Sequence, residues 1–433
     1  MTAAVSPSSA SPVSTAAAAA LPVTGGAPRK ALTSLDDALA ELLSYAAPLG
    51  GTETVSTFDA DRRVLAEDLV SGLQVPPQDN SAMDGYALRL ADVPQAGVVL
   101  PVSQRIAAGQ APAPLAAGTA ARIFTGAPIP PGADAVLMQE RCTALEGDRV
   151  RFDLVPPLGE SIRRAGEDVT RGAVVLSRGT RLTPAALGMA ASIGRAQVLV
   201  ARRPRVALFS TGDELVMPGD KAPADMPPGA IYNSNRFVLR ALLLRCGCEV
   251  TDLGIVPDRF DATVAALRQA AEGHDLILTS GGVSVGEEDH VKPAVQSLGQ
   301  LTLWQMAMKP GKPFAYGQVG AAHFIGLPGN PVSSFVTFLL MVRPFVLKLQ
   351  GASRHAPEPM LLPAHFSWPK ADPRREFLRV ARNAAGGLEL FGHQGSGVLT
   401  SVTWGDGLVD NPPSTPIAQG DTVRFLPFAE LLA

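Results

Sequence analysis

The residues with the clearest capacity for chemistry lie between positions 275 and 292, where a glycine pair and three carboxylates follow an apolar run. Residues 276–279 are apolar and bounded by turn residues, which predicts a short buried strand. After Ser280, the pair Gly281 and Gly282 allows backbone with positive φ and leaves main-chain N–H groups uncovered. Such N–H groups ahead of a helix suit a bound phosphate. The stretch therefore predicts either an anion-binding turn or an ordinary glycine-rich turn between strand and helix.

Three acidic residues, Glu287, Glu288 and Asp289, come directly after this turn. A doubly charged anion about 4 Å from a carboxylate meets repulsion of several kcal/mol at an effective dielectric of about 20. Either the carboxylates point away from the ligand, or a divalent cation lies between them and the ligand. We favour the cation, because one or two carboxylates together with substrate phosphates commonly hold Mg²⁺.

Strand-like and helix-like segments alternate from position 205 onward, which is typical of βαβ units with a parallel sheet. In such open sheets, ligands bind beyond the carboxyl ends of the strands. Five loops rich in hydroxyls, carboxylates, lysines and glycines follow the predicted strands: 210–214, 257–258, 280–289, 309–313 and 327–333. Each loop alone could be a helix cap or a surface turn, but five at one edge predict a shared site for an anionic ligand.

Three polar segments in the N-terminal third have less specific patterns. Residues 79–87 mix Asp, Asn and Ser with Met and Tyr, which could bind a polar ligand or be held by Asx turns of its own. Residues 124–130 form a stiff loop with one hydroxyl, and residues 161–168 form a charged run of the kind usually found on a solvated face. In the C-terminal region, Arg379 in a predicted strand could cover an anion or extend its side chain to water.

The composition narrows the class of protein. The chain has 433 residues, a net charge of -3 and 46% hydrophobic residues, which suits a globular protein of several domains. The net charge gives no sign of the basic face that binding to nucleic acid would need. The motif GxxxxGK(S/T) is absent and no GxGxxG follows a strand, so neither a P-loop NTPase nor a dinucleotide dehydrogenase is supported.

Localisation is predicted to be cytoplasmic. Three cysteines cannot form a disulfide framework, and the Cys-Gly-Cys at 246–248 lacks zinc-site spacing, so we expect reduced thiols. Residues 1–29 are expected to be a disordered leader, and no Lys or Arg precedes its alanine run, which argues against a secretory signal. No membrane span is expected, because Arg343 and Pro344 interrupt the most apolar helix candidate, 332–349.

Eight motifs in this order together resemble one family: DNSAMDGYA (79–87), FTGAPIP (124–130), RRAGED (163–168), VALFSTGDEL (206–215), SGGVSVGEED (280–289), MKPGKPF (308–314), GLPGNPVS (326–333) and GHQGS (392–396). The family is the MoeA-type molybdopterin molybdenumtransferases, which are similar to the C-terminal domain of gephyrin. The likeness runs from about Ser34 to the C-terminus.

The resemblance implies a multidomain α/β fold in an elongated homodimer. The expected parts are the leader at 1–29, a segmented N-terminal domain at 30–75 and 169–203, a β-rich insertion domain at 76–168, a MogA-like molybdopterin-binding α/β domain with a parallel sheet at 204–350, and a small C-terminal β-barrel domain at 351–433.

The resemblance also implies a reaction and the residues that serve it. Molybdate would be inserted into the dithiolene of adenylylated molybdopterin with release of AMP, in a Mg²⁺-dependent way. The matching catalytic positions are Asp84, Asp168, Glu214, Asp258 and Asp289, with Glu214 and Asp289 as metal ligands. The matching substrate-binding positions are Thr125, Arg163, Ser210, Thr211, Gly212, Asp213, Ser280, Gly281, Gly282, Ser284, Gly286, Pro328, Gly329 and Pro331. The matching molybdate-binding positions are Lys309, Lys312, Pro313, Arg379 and Ser396.

In that family, the partner subunit supplies the positions matched here by Asp84, Thr125, Arg163 and Asp168. Gln305 and His290 stand where some members have lysine and tyrosine, which affects substrate positioning rather than the class of reaction. Two other functions are compatible with the central domain: a non-catalytic scaffold that binds molybdopterin or clusters a partner, and a MogA-like adenylyltransferase. A separate MogA-like adenylyltransferase is also a possible partner. We expect binding to neither nucleic acid nor a membrane.

Overall fold

The structure is a computed structural model, and it describes residues 1–2, 32–283 and 290–432. Most of the predicted disordered leader therefore lies outside the described residues. The same holds for the predicted site residues Ser284, Gly286 and Asp289 and for the rest of the acidic triplet.

The α-helices of the described residues are spread over the whole chain. They are α1 Leu35–Tyr45, α2 Pro184–Ser192, α3 Ser234–Arg245, α4 Phe260–Ala271, α5 Val291–Leu298, α6 Pro331–Thr337, α7 Arg343–Leu349, α8 Thr400–Trp404 and α9 Phe428–Leu431.

The strands of the same part of the chain fall into three six-stranded sheets and several two-stranded pairs. They are β1 Thr52–Ser56, β2 Leu69–Val70, β3 Asn80–Ser81, β4 Gly85–Leu88, β5 Val99–Ile106, β6 Ala120–Ile123, β7 Ala135–Met138, β8 Cys142–Leu145, β9 Arg149–Phe152, β10 Ile162–Arg163, β11 Val174–Leu176, β12 Gln197–Ala201, β13 Arg205–Thr211, β14 Leu215–Val216, β15 Ile231–Tyr232, β16 Glu249–Val256, β17 Leu276–Ser280, β18 Gly299–Gln305, β19 Met308–Lys309, β20 Pro313–Val319, β21 Ala322–Leu327, β22 Met360–Pro363, β23 Arg375–Arg382, β24 Leu388–Leu390, β25 Gly407–Asn411 and β26 Thr422–Pro427.

Two distant segments pair to form the N-terminal part of the molecule. Strand β1 pairs antiparallel with β12, and β2 pairs antiparallel with β11. Apolar side chains from both segments, among them Leu65, Leu69, Leu182 and Val200, share one buried core. The chain thus leaves this part after β2 and returns to it at β11, as expected of a segmented domain.

The chain segment between β2 and β11 forms a separate sheet, with strand order β7-β4-β6-β5-β9-β8. Its two faces bury separate apolar clusters, one around Ile106 and Ile123 and the other around Leu100 and Phe152. This is the β-rich insertion. The sequence predicted its existence from short β-type runs, and its exact bounds stay a prediction.

The central sheet has the strand order β16-β13-β17-β21-β20-β18. Strands β16, β13, β17 and β21 run parallel, β20 runs antiparallel to β21, and β18 runs antiparallel to β20. Strand β18 therefore has the same direction as β21, and its carboxyl end lies at the same edge of the sheet. The parallel sheet that the alternating pattern predicted is confirmed, and all of strand β17 is buried.

A long apolar helix fills the core between the central sheet and its neighbours. Residues Pro331–Leu349 form one helix in which a π-helical turn, Phe338–Val342, separates α6 from α7. The expectation that Arg343 and Pro344 interrupt it is wrong. The N–H of Arg343 donates to the carbonyl of Phe338, and such a π turn accommodates the proline one residue later.

By length and composition alone, this helix is the one segment of the described residues that could cross a membrane. However, 89% of its most apolar window is buried inside the protein, so it is a core helix by its packing.

The C-terminal part is a β barrel, as expected. Its sheet order is β19-β23-β25-β26-β22, with β24 on β23. A bridge between Ala364 and Leu388 joins the chain after β22 to β24, which closes the ring. Strand β19 comes from the central domain and pairs parallel with β23, so main-chain bonds join the two parts.

Candidate active site at the carboxyl edge of the central sheet

A cavity of about 560 Å³ opens at the edge of the central sheet where the parallel strands end. Three of the five predicted loops line it, and they contribute Thr211 and Glu214, Ser280 and Gly281, and Gly329, Asn330 and Pro331. The prediction that distant loops converge at this edge is confirmed for these three. The loops that carry Asp258 and Lys309 do not line the cavity among the described residues.

The glycine pair after β17 has the backbone that its sequence predicts, with φ of +93° at Gly281 and +64° at Gly282. A Cβ atom on Gly281 would lie 2.8 Å from the carbonyl oxygen of Thr211, and one on Gly282 would overlap the side chain of Val291. The expectation of uncovered N–H groups is wrong at Gly281, because its N–H donates to the carbonyl of Leu327 at 3.1 Å. The turn is therefore tightly packed between two strand ends.

Hydroxyl-bearing residues line part of the cavity wall. Ser280 and Thr211 lie at its wall, and the Ser280 Oγ is 3.4 Å from the Oγ of the fully buried Ser210. Ser210 thus supports Ser280 from below and is not itself part of the lining. Pro328 has a similar supporting role, because its carbonyl accepts the hydroxyl of buried Ser334 in the first turn of the long helix.

Glu214 supplies the carboxylate of the cavity. It is exposed, and it lies over Gly212, where a Cβ atom would come within 2.6 Å of its Oε2. The neighbouring Asp213 has a hydrogen-bond partner outside the cavity, because its Oδ1 accepts the main-chain N–H of Asp258 at 3.1 Å. This bond ties the loop after β13 to the loop after β16, and among the described residues Glu214 is the carboxylate on the wall of the cavity.

The structure adds residues that the sequence did not point to. Helix α3 begins at the cavity with Asn233 as its N-cap, whose Oδ1 accepts the N–H of Arg236. Asn235 then donates from Nδ2 to the carbonyl of Gly329 at 2.7 Å, which ties α3 to the loop before the long helix. Tyr232, Asn233, Ser234 and Asn235 all line the cavity. The capping pattern could have placed them at a helix start, but only the fold places that start here.

The C-terminal barrel reaches the cavity through the loop after β24. Gly397 is part of the lining, and the carbonyl of Ser396 accepts the N–H of Val332 at 2.9 Å. Ser396 is thereby held at the start of the long helix, one residue from the cavity.

Arg379 lies beside this loop in strand β23 and is only 1% exposed, so its side chain does not extend to water. Its guanidinium donates to the carbonyls of Phe377 and Gly395 and to the hydroxyl of Ser401. None of the described carboxylates forms an ion pair with it, and burial lowers its pKa to about 10. A buried cation held by neutral acceptors is suited to an oxyanion near the loop 395–397.

The residues of the predicted molybdate set differ in their contacts. Lys309 lies 3.2 Å from Glu376 and 3.4 Å from Asp372, and its side chain is 40% exposed. Glu376 and Arg379 are three residues apart in β23, so their side chains leave opposite faces of the strand. Lys312 is exposed. Pro313 begins β20. Arg379 and Ser396 are thus near the cavity, whereas Lys309 pairs with carboxylates on the other face.

Four predicted residues, Asp84, Thr125, Arg163 and Asp168, form a second group in the insertion, which we call the insertion patch. The Oδ1 of Asp84 accepts both the N–H and the hydroxyl of Thr125 at 2.8 Å. Arg163 and Asp168 are exposed at the adjoining strand β10 and the loop after it. The three N-terminal motifs therefore meet at one place.

The two aspartates of residues 79–87 are held by other motifs, while Ser81 bonds to Met83 within the loop. Asp79 accepts the N–H of Ala165 at 2.8 Å and the guanidinium of Arg164 at 2.6 Å, while Asp84 is bound to Thr125. Asx turns within the loop are therefore not what holds these carboxylates. Among the described residues, no hydrogen bond or ion pair joins the insertion patch to the central cavity.

We expect Thr125→Val to raise the pKa of Asp84. The main-chain N–H and the hydroxyl of Thr125 both lower this pKa, because they stabilise the charged carboxylate. Valine keeps the N–H and the branched shape but removes the hydroxyl, so the pKa should move part of the way back toward 3.8. Since the lowered pKa belongs to the folded state, the bond's contribution to stability is lost as pH falls through that folded value.

Carboxyl-carbon NMR titration measures this change directly. Thr143→Val is the matched control, because Thr143 lies in the same domain and bonds to Asp153 instead. An unchanged Asp84 titration in Thr125→Val would show that the hydroxyl does not act on this carboxylate.

Comparison with known proteins covers most of the chain. Three family models match it in succession: the MoeA N-terminal region (domain I and II) at residues 33–194, a probable molybdopterin binding domain at 207–348, and the MoeA C-terminal region (domain IV) at 362–428. A molybdopterin molybdenumtransferase of Haemophilus influenzae is 40% identical over 93% of this chain and 100% of its own length. The chain belongs to the MoeA family of molybdopterin molybdenumtransferases. It is a transferase of molybdenum cofactor biosynthesis.

Further members of the MoeA family agree with this assignment. Molybdopterin molybdenumtransferase 2 of Mycobacterium tuberculosis is 37% identical over 86% of this chain and 93% of its own length. The crystal structure of a molybdopterin biosynthesis MoeA protein from Pyrococcus horikoshii superposes with a TM-score of 0.78 at 29% identity. That match covers 92% of this chain and 100% of the other.

Proposed function

We propose that this MoeA-family enzyme inserts molybdate into adenylylated molybdopterin and releases AMP. Insertion of molybdenum during molybdenum cofactor biosynthesis follows from membership of the family. The adenylylated form of the substrate and the leaving AMP are the proposed part. The observation that carries the proposal is the guanidinium of Arg379, which is buried beside the loop 395–397 and forms no ion pair with any described carboxylate. That loop reaches a cavity of nucleotide size.

Different groups of the chain would bind the phosphates of the substrate and the molybdate. The hydroxyls of Thr211 and Ser280 and the first turn of α3 offer donors to the phosphates of the substrate. Arg379 and the loop that carries Ser396 would hold molybdate by charge-assisted hydrogen bonds, which are the stronger kind. In this arrangement the oxyanion would lie next to the nucleotide end of the cavity, and cleavage of the adenylyl bond and insertion would occur at one place.

Mg²⁺ is the proposed metal, and the carboxylate of Glu214 on the cavity wall supports it. Within the described residues, no three His, Cys, Asp or Glu side chains cluster as a metal site. Mg²⁺ does not need such a cluster, since one or two carboxylates, substrate phosphates and water commonly complete its coordination. Glu214 on the cavity wall would be the protein ligand here, together with Asp289. The ion would neutralise negative charge on the substrate phosphates.

We further propose an elongated, cytoplasmic homodimer in which the insertion patch completes the active site of the partner subunit. Supporting this, Asp84 and the exposed Thr125 form a hydrogen-bonded pair that no described hydrogen bond or ion pair connects to the cavity of its own chain. A MogA-like adenylyltransferase would supply the adenylylated substrate.

The test is AMP release from adenylylated molybdopterin with molybdate and Mg²⁺. We expect Glu214→Gln to lower kcat/KM at least about 100-fold, as for loss of a group that stabilises the transition state. Glu272→Gln, an exposed change in the same domain, is the matched control and should keep full activity.

The other outcomes separate the alternatives. ATP consumption with bare molybdopterin would indicate an adenylyltransferase. Tight binding of molybdopterin without AMP release, under saturating Mg²⁺ and molybdate, would indicate a scaffold. Full turnover by Glu214→Gln would remove Glu214 from the site.

A further inference from the structure

Arg122 in strand β6 lies next to the insertion patch, and its guanidinium donates in two directions. Nη1 donates to the carbonyl of Gly85 at 2.9 Å. Nη2 donates to the Oε1 of Gln139 at 2.5 Å. Among the described carboxylates, none forms an ion pair with Arg122. Both of these hydrogen bonds therefore run to neutral groups that flank Asp84.

The same guanidinium stacks on two aromatic rings. Its Cζ lies 5.1 Å from the ring centroid of Tyr86 and 4.7 Å from that of Phe124. Tyr86 follows Asp84 by two residues, and Phe124 directly precedes Thr125. One side chain thus contacts both of the segments that the Asp84–Thr125 hydrogen bonds join.

A ring of contacts fixes the main chain at Asp84. The carbonyl of Asp84 accepts the N–H of Gln139 at 3.1 Å, and Arg122 holds both the Gln139 side chain and the Gly85 carbonyl. Gly85 itself has no room for a side chain, because a Cβ atom would overlap the carbonyl of Leu137. A shift of the main chain at Asp84 relative to Thr125 would therefore disturb the Arg122 contacts.

Only arginine can make this set of contacts. Its planar fork offers N–H groups in fixed, divergent directions, and its flat face stacks on aromatic rings. A lysine ammonium at this place could satisfy one acceptor but could not bridge two acceptors and face two rings at the same time.

We propose that Arg122 is a positioning residue that holds Asp84 and Thr125 in register, so that their oxygen atoms meet the substrate in a fixed geometry. The inference rests on the proposed function, in which Asp84 and Thr125 act in the reaction. Arg122 contacts protein groups and acts through them.

The experiment compares Arg122→Lys, Asp84→Asn and the double variant in the AMP-release assay, using the full-length protein. We expect Arg122→Lys to lower kcat about 100-fold with little change in KM, because a misplacement of about 1 Å can cost that much. The double variant should be no slower than Asp84→Asn alone, since groups that act as one unit are not additive. Arg151→Lys, an exposed arginine paired with Asp153 in the same domain, is the control and should keep full activity.

Three results would overturn the inference, and they are distinguishable. Full activity of Arg122→Lys would remove the positioning role. Multiplying losses in the double variant would show that Arg122 acts independently of Asp84, and the proposed function would stand. Full activity of Asp84→Asn would remove Asp84 from the reaction, and the role of Arg122 would fall with it. Thermal unfolding of each variant shows whether a loss of activity merely reflects loss of the fold.

Discussion

Replacement of Arg379 by methionine is expected to abolish the response to molybdate while the protein stays folded. Loss of a buried, charged donor to an oxyanion should lower kcat/KM for molybdate by about 100- to 1000-fold. The free energy of unfolding should change little, because removal of a buried charge that pairs with no described carboxylate offsets the loss of its hydrogen bonds to Phe377, Gly395 and Ser401. A molybdate titration of turnover and a denaturant titration measure the two effects.

A matched control lies three residues further along the same strand. Arg382 is exposed at the end of β23 and lies 3.6 Å from Asp406, so Arg382→Met should leave the molybdate titration unchanged. An Arg379→Met protein with the wild-type half-saturation for molybdate would contradict the assignment. A strongly destabilised Arg379→Met protein would instead show that the guanidinium is needed for the barrel itself.

The second large effect is expected at the glycine turn, where Gly281→Ala should prevent binding of the substrate. Alanine at φ +93° is strained, and its Cβ would lie 2.8 Å from the carbonyl of Thr211. Since that contact is with main chain, the turn or strand β13 has to shift, at a cost of about 1–3 kcal/mol beyond the strain. The shift would move Thr211 and Ser280 at the cavity wall.

The variant Gly273→Ala separates the effect of backbone strain from the effect of steric overlap. Gly273 also has positive φ, at +77°, but nothing lies within 4 Å of the position of its Cβ. It should therefore show the loss of stability that comes from strain alone and should keep substrate binding. Isothermal titration of both variants with adenylylated molybdopterin distinguishes them. Equal affinities would mean that the turn does not shape the cavity.

The position of Arg379 relative to the cavity depends on how the barrel is attached. Strand β19 from the central domain pairs with β23, and the carbonyl of Ser396 bonds to Val332 at the start of the long helix. Lys309, at the end of β19, adds ion pairs to Asp372 and Glu376 in the barrel. These contacts hold the segment around Arg379 against the central domain. The ion pairs of Lys309 are part of this attachment.

Features governed by neighbouring residues were predictable from the chain. The buried strand β17 and the positive φ angles of Gly281 and Gly282 follow from local composition and from the absence of a Cβ atom. The parallel sheet follows from alternation of strand and helix, and with it the edge at which Thr211, Glu214 and Ser280 meet. These signals are local in the sequence or depend on one general rule of topology.

Contacts between distant residues were decided by the tertiary structure alone. Asp84 and Thr125 are 41 residues apart, and no pattern in either loop reports their hydrogen bonds. Arg379 could have covered an anion or reached water, and only the fold of the barrel, which places Gly395 and Ser401 around its guanidinium, removed it from solvent. Lys309 belongs to a motif that suggests an open anion ligand, yet two carboxylates from the barrel hold it. The sequence determines which side chains are available. The burial and the partner atoms of a side chain set its charge state and its accessibility, and both arise only when remote segments pack together.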